Sequence, residues 1–173
     1  MEIWDAYFKN GRKAGFELTR SDHNQFPPDI YHMVCSVIVR HTDGDFLVMQ
    51  RDVSKTGWPG MWEATASGSA LKGEDKLACI QRELYEETGI RCKKFRQYNR
   101  EVSDETHAIY FCFSCVVNCS KSSVRLQKGE TMAYRWMDLN ELLAFMQTDA
   151  FVPLLRERLR PYFEGLVSFK AET

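Results

Sequence analysis

GSALKGEDKLACIQRELYEETGI, residues 68–90, decides how the rest of the chain is read, because its carboxylates gather at a spacing that stability alone does not select. The segment opens with Gly68, Ser69, Ala70, Leu71, Lys72 and Gly73, which is turn chemistry. From Glu74 onward Leu77, Ile80 and Leu84 recur at three- and four-residue intervals, predicting a helix from about Glu74 to Thr88 with one apolar stripe against a core. Gly89 suits a left-handed cap, and Ile90 supplies the hydrophobic contact that follows such a cap.

Glu83, Glu86 and Glu87 leave this helix at i, i+3 and i+4, inside an arc of roughly 100° beside the stripe. Like charges so placed cost roughly 0.2–0.5 kcal/mol per pair, and the helix dipole near a C-terminus adds a similar penalty. A Glu-rich helix is ordinarily a solvated face, with Arg82 and Lys76 as neutralisers here. The trio becomes favourable under a hard divalent cation, since Mg²⁺ takes a few carboxylates, keeps several waters and accepts phosphate oxygens. Arg82 can bridge to Glu86 and fix its rotamer.

The full spacing is Gly68, five residues, Glu74, seven residues, Arg82-Glu83-Leu84, then Glu86-Glu87 and Gly89-Ile90. All nine of these fixed positions match the Nudix box, so the chain resembles a Nudix hydrolase, and nine specified positions make chance agreement remote. The resemblance implies an α/β/α sandwich with a mixed sheet, and hydrolysis of a nucleoside diphosphate linked to a further moiety. It also implies Mg²⁺, with Mn²⁺ as a substitute, and a small diphosphate or nucleotide as the binding partner.

Carried over position by position, the resemblance makes Glu83 and Glu87 metal ligands and the Ser67 carbonyl a further one. Glu86 is then a ligand or the base acting on water, with Glu74 and Arg82 orienting the carboxylates. Glu130, in KGETMAYRWM, occupies the place of the extra loop carboxylate that many Nudix enzymes use as ligand or base, so the base stays open between Glu86 and Glu130. Arg51 and Lys55, shortly before the box, are candidates for holding phosphate oxygens, Arg in bidentate fashion. Trp58, Phe111 and Tyr134 are candidates for stacking on a base, although an aromatic on a strand is ordinarily core.

At 173 residues the chain has room for one domain with a substantial core. A net charge of −1 and the absence of a Lys/Arg-rich run give no footprint for polymeric nucleic acid or an anionic membrane. The first residues lack a basic start and an apolar run, and no stretch approaches the ~20 apolar residues of a membrane span, so a cytoplasmic location is expected. The six cysteines then read as small core residues. Cys112 and Cys115 fall on opposite faces of one strand, which argues against a zinc cluster with Cys119.

Residues 2–20 predict a hairpin turned at Asn10-Gly11, carrying Trp4, Tyr7, Phe8 and Phe16, and Asp22 to Pro28 a polar loop. Residues 1–28 are accordingly expected as a hairpin extension packed on a Nudix domain of residues 29–173, with the hairpin a candidate homodimer surface. Strands are predicted over Tyr31–Arg40, Asp45–Arg51, Trp62–Ser67, His107–Val117 and Met132–Met137, with weaker alternation over Cys92–Glu101. Asp138 caps a helix over Leu139–Gln147, and Leu154, Leu155, Leu159 and Tyr162 give a helix over about Phe151–Phe163 its core face.

A narrower resemblance runs to the isopentenyl diphosphate isomerases, carried by Trp4-Asp5, Tyr31-His32 and the run Lys55 to Trp62. Those isomerases flank the box glycine with a catalytic Cys and a metal-binding His, where this chain has Ser67 and Ser69. A hydroxyl is a far weaker acid than a thiol, and losing the His removes a nitrogen ligand, so a hydrolase is expected ahead of an isomerase. A non-catalytic nucleotide-binding module is the third alternative. The retained repulsion of Glu83, Glu86 and Glu87 speaks against it.

Overall fold

The computed structural model describes residues 2–171. The chain opens with strands β1 (Ile3–Phe8) and β2 (Lys13–Thr19), and the turn between them contains Gly11 at φ 88°. A 3-10 helix over Arg20–Gln25 takes the first part of the expected polar loop. There follow β3 (Ile30–His41), β4 (Phe46–Arg51), β5 (Trp62–Ala64), β6 (Ala66–Ser69) and helix α1 (Lys76–Thr88). The remainder is β7 (Arg96–Ser103), β8 (Ala108–Val117), β9 (Thr131–Met137), α2 (Leu139–Phe145) and α3 (Pro153–Ala171).

Strand β3 is the hub of a mixed sheet. It runs parallel to β8 from His32↔Ala108 to His41↔Val117, and antiparallel to β1 at Tyr7↔Tyr31, to β6 at Cys35↔Gly68 and to β4 at Val39↔Leu47. Strand β4 in turn carries β5 and β9, and β7 lies outside β8. The stretch expected as one strand over Trp62–Ser67 is two, because β3 and β4 splay apart beyond Val39 and the chain pairs first with one and then with the other. Thr65 sits at the switch: its Oγ1 donates to the Leu47 carbonyl (2.7 Å) and accepts from Val39 N (3.0 Å). One buried hydroxyl so satisfies the backbone groups that the splay would otherwise orphan.

The two faces of the sheet carry separate cores, as strand alternation requires. Cys35, Val37, Leu47, Met49 and Phe113 pack with Cys79, Ile80 and Leu84 of α1. Ile38, Val48 and Ala64 pack with Leu142 of α2 and with Leu159 and Phe163 of α3. The result is the α/β/α sandwich with a mixed sheet. Among the described residues no helix is long and apolar enough to cross a membrane.

Several sequence expectations move. Helix α1 begins at Lys76, because Asp75 caps it by accepting from Leu77 N (2.9 Å) and Ala78 N (2.8 Å), which leaves Glu74 in the loop. Leu77 is therefore in the first turn and exposed, and Cys79 takes the inner position. Helix α3 continues past Phe163 and through Pro161 to Ala171, and Leu154 is exposed beside the inward Leu159. In the hairpin Trp4 and Tyr7 are buried, whereas Phe8 and Phe16 are exposed.

Candidate active site

An open cleft of about 140 Å³ lies where β6 ends, beneath the C-terminal half of α1 and the loop before β9. Ser67, Gly68, Arg82, Glu83, Glu86, Glu87, Lys55 and Glu130 line it, with Glu2 and Arg20 of the N-terminal segment on its rim. The fold thus assembles most of the sequence-predicted site residues. Glu74 stands behind Arg82, and Arg51 is turned to Glu63 instead of the cleft.

Arg82 is the hub of the α1 side. Its Nε and Nη2 donate to the two oxygens of Glu74 (2.7 and 2.9 Å), and Nη1 donates to Glu83 Oε1 (2.7 Å) and Glu86 Oε2 (3.1 Å). Nη2 also reaches the Ser69 carbonyl at 3.1 Å, tying the guanidinium to the loop. A planar fork with five donors can make all of these contacts at once, which an ammonium cannot. The expected bridge from Arg82 to Glu86 exists, but Glu74 is its anchor. Burial pushes the Glu74 carboxyl up, yet hydrogen bonds from Arg82 and Leu71 N outweigh it and leave its pKa below the usual value.

Glu83 occupies the space above Gly68 that a Cβ would fill. Burial raises its pKa against the pull of Arg82, and Glu86 raises it further. Glu87 is more extreme: it is 6% exposed, and its Oε2 has no hydrogen-bond partner. Burial first, then the charges of Glu63, Glu83 and Glu130, hold its pKa well above the ordinary carboxylate range.

Glu63 is the residue that sequence reasoning missed. It lies on β5 opposite Met49, is 7% exposed, and takes Arg51 Nη1 at 2.7 Å. Arg51 Nε donates to the Gly57 carbonyl at 2.9 Å, so the guanidinium is spent on structure on both sides. A signal was present, since a glutamate inside the largely apolar run Met61 to Ala66, where only Thr65 is otherwise polar, must be buried with a partner. Lys55 pairs with Glu130 across the cleft mouth.

The donors here are carboxylate and carbonyl oxygens, and one buried oxygen is left without a donor; that set suits a hard cation. Among the described residues no three His, Cys, Asp or Glu side chains already stand as a metal cage. Arg82 is paired with Glu83 and Glu86, and Lys55 with Glu130, so a divalent ion would exchange with these pairs.

His32 and His107 lie away from the cleft, in the aromatic cluster at the base of the hairpin. His32 stacks on Trp4 (4.4 Å between ring centres), shares a 2.9 Å hydrogen bond with the His107 carbonyl through Nδ1, and is lowered to about 4 by burial. A smaller cavity of about 40 Å³ on the α3 face, lined by Ser36, Tyr98, Tyr110 and Arg158, shares Ser67 with the cleft and holds none of its carboxylates.

Residues 30–157 match the sequence model of the NUDIX domain. The chain is 31% identical over 159 residues to an uncharacterised Nudix hydrolase of Listeria monocytogenes, covering 88% of this chain and 89% of that protein. It is 26% identical over 152 residues to an isopentenyl-diphosphate Delta-isomerase of Citrobacter koseri, covering 79% and 84%. In fold it is similar to a crystal structure from Deinococcus radiodurans (TM-score 0.73, 17% identity, 93% of this chain and 99% of that one). It is also similar to the NUDIX domain of Shewanella oneidensis NrtR complexed with ADP ribose (TM-score 0.62, 15% identity, 86% and 99%).

Proposed function

This chain belongs to the Nudix family of hydrolases, and on that premise we propose that it cleaves the pyrophosphate bond of a nucleoside diphosphate linked to a further group, or of a similar small diphosphate, with Mg²⁺ or Mn²⁺ bound. The observation that carries this reading is the buried, unpartnered Oε2 of Glu87 at the floor of an acidic cleft. ADP ribose in a NUDIX domain of the same fold supports the substrate class.

Glu83, Glu86, Glu87, Glu130 and the Ser67 carbonyl would hold the metal. Bound there, it supplies charge neutralisation for the phosphates and acidifies a water. Glu86, at the solvent edge of α1, and Glu130, at the cleft mouth, are the two groups placed to receive that water's proton. Lys55 faces the cleft and can move from Glu130 to a phosphate oxygen, whereas Arg51 acts through Glu63. Arg82 and Glu74 fix the rotamers of Glu83 and Glu86, and Glu2 and Arg20 make the hairpin segment, residues 1–28, a wall of the cleft on the domain of residues 29–173. A cytoplasmic location belongs to the same reading.

The test is turnover. With Mg²⁺ and a panel of nucleoside di- and triphosphates, nucleotide sugars, dinucleotide polyphosphates and isopentenyl diphosphate, released phosphate or monophosphate is expected, and is expected to vanish in Glu86→Gln and Glu87→Gln. Double-bond migration without phosphate release would establish the isomerase alternative that the Citrobacter koseri relative suggests. Nucleotide binding with neither product would leave a non-catalytic module.

A further inference from the structure

Three cations, Arg20, Lys55 and Arg82, line the cleft, and they are engaged to different degrees. Arg82 spends its fork on Glu74, Glu83, Glu86 and the Ser69 carbonyl, and Lys55 holds Glu130. Arg20, the first residue of the 3-10 helix that follows the hairpin, makes a single side-chain contact: its Nη1 donates to Glu2 Oε1 at 3.0 Å. Its Nε and Nη2 have no protein acceptor among the described residues, and its side chain is 62% exposed. The fold nevertheless fixes where this pair stands. Arg20 N donates to the Glu2 carbonyl (3.2 Å), Lys72 N to the Ile3 carbonyl (2.8 Å) and Gly73 N to Asp5 (2.9 Å). The segment that carries Glu2 into β1 is thereby stitched to the loop that opens the box, and Arg20 is stitched to Glu2.

We infer that Arg20 is a phosphate-holding residue supplied to the cleft by the N-terminal segment, and that Glu2 is its internal competitor, occupying the guanidinium until a substrate phosphate displaces it. This rests on the diphosphate hydrolase proposed above and adds a residue to it. Arg51, whose charge and place in the sequence made it a phosphate candidate, is held by Glu63 and the Gly57 carbonyl. Arg82 is held by three carboxylates. Of the cations around the cleft, that leaves Lys55 from the loop after β4 and Arg20 from the hairpin segment. A guanidinium with two uncommitted nitrogens takes a phosphate in bidentate fashion, and one carboxylate oxygen does not use that fork. An ion pair as exposed as Arg20–Glu2 is screened by water and salt, so an incoming phosphate exchanges with it readily.

The experiment is a calorimetric titration of the full chain, with Mg²⁺ present, by methylenediphosphonate, a diphosphate analogue that cannot be hydrolysed. Wild type is expected to bind it, and Arg20→Gln to bind it about tenfold more weakly. Glu2→Gln should bind it about threefold more tightly, because the guanidinium is no longer occupied. In the Arg20→Gln background that gain should disappear. Both side chains are exposed, so all of these variants are expected to fold. Arg20→Gln binding like wild type, a Glu2→Gln gain that persists without Arg20 and so reports only net charge, or a wild type that turns over a substrate without taking up the diphosphonate would overturn the assignment while leaving the hydrolase reading intact. Binding that depends on Arg20 in a protein without turnover would keep the phosphate site and remove the hydrolase.

Discussion

Gly68 lies directly beneath the carboxylate of Glu83, in a space that a Cβ and that carboxylate cannot share. The glycine is required for room and not for its backbone angle, because Gly68 is absent from the positive-φ glycines. The atom in the way is the far end of a flexible side chain. Gly68→Ala should therefore leave the melting temperature within a few degrees of wild type while moving Glu83 off its place, with a loss of about 100-fold in kcat/KM. An alanine variant of undiminished activity would remove Glu83 from the catalytic arrangement.

The unpartnered Glu87 predicts a stability order that depends on metal. In EDTA, Glu87→Gln should be more stable than wild type by about 1 kcal/mol, since it removes a buried acid whose ionisation burial and the neighbouring carboxylates oppose and whose Oε2 no protein donor satisfies. With millimolar Mg²⁺ the order should reverse, as only wild type gains binding energy. Denaturant unfolding under both conditions checks this, and a wild type indifferent to Mg²⁺ would contradict it.

Arg82 holds Glu74, Glu83 and Glu86 with one guanidinium. Arg82→Lys keeps the charge and loses the fork, so it should cost about 2 kcal/mol of stability, discounted for partial exposure, and lower kcat by roughly 10–100-fold. Glu74→Gln should follow it in both readouts, because it removes the anchor of the same fork. Full activity in either variant would show that Glu83 and Glu86 hold their positions unaided.

His32 gives a pH signature remote from the cleft. Burial lowers it to about 4 in the folded chain, while an unfolded histidine titrates near 6.5. Below pH about 6.5 the unfolded state takes up the proton first, so the stability contribution is complete above that pH and is lost progressively down to about 4. The total is up to about 3 kcal/mol. His32→Phe keeps the stack on Trp4, and the His107 carbonyl retains the His32 backbone N–H (2.9 Å). Its stability should fall less between pH 6.5 and 4 than that of wild type; parallel curves would exclude His32 as the source.

The box helix, its glycine cap and the acidic trio were legible from spacing, because helical periodicity is local and the apolar stripe marks the buried side. Gly89 does close α1 at φ 72°, donating to the Tyr85 carbonyl (2.8 Å). The strands were found because their residues are apolar nearly throughout. The break at Thr65 was not, since it depends on where β3 and β4 part. Arg51 carried a positive charge near the box and so read as a phosphate ligand; that its guanidinium faces Glu63 follows from β4 and β5 being neighbours.

By itself the sequence determined that a helix would present Glu83, Glu86 and Glu87 on one side, because i, i+3 and i+4 positions share a face wherever a helix forms. Only the tertiary structure decided which of these charges would be buried and what would stand opposite. Glu87 is enclosed because β5 brings Glu63 beneath α1 and the loop before β9 brings Glu130 across it. Burial and opposition of charge arise from segments far apart in the chain, and their strength depends on distance and solvent exclusion, which no local spacing encodes.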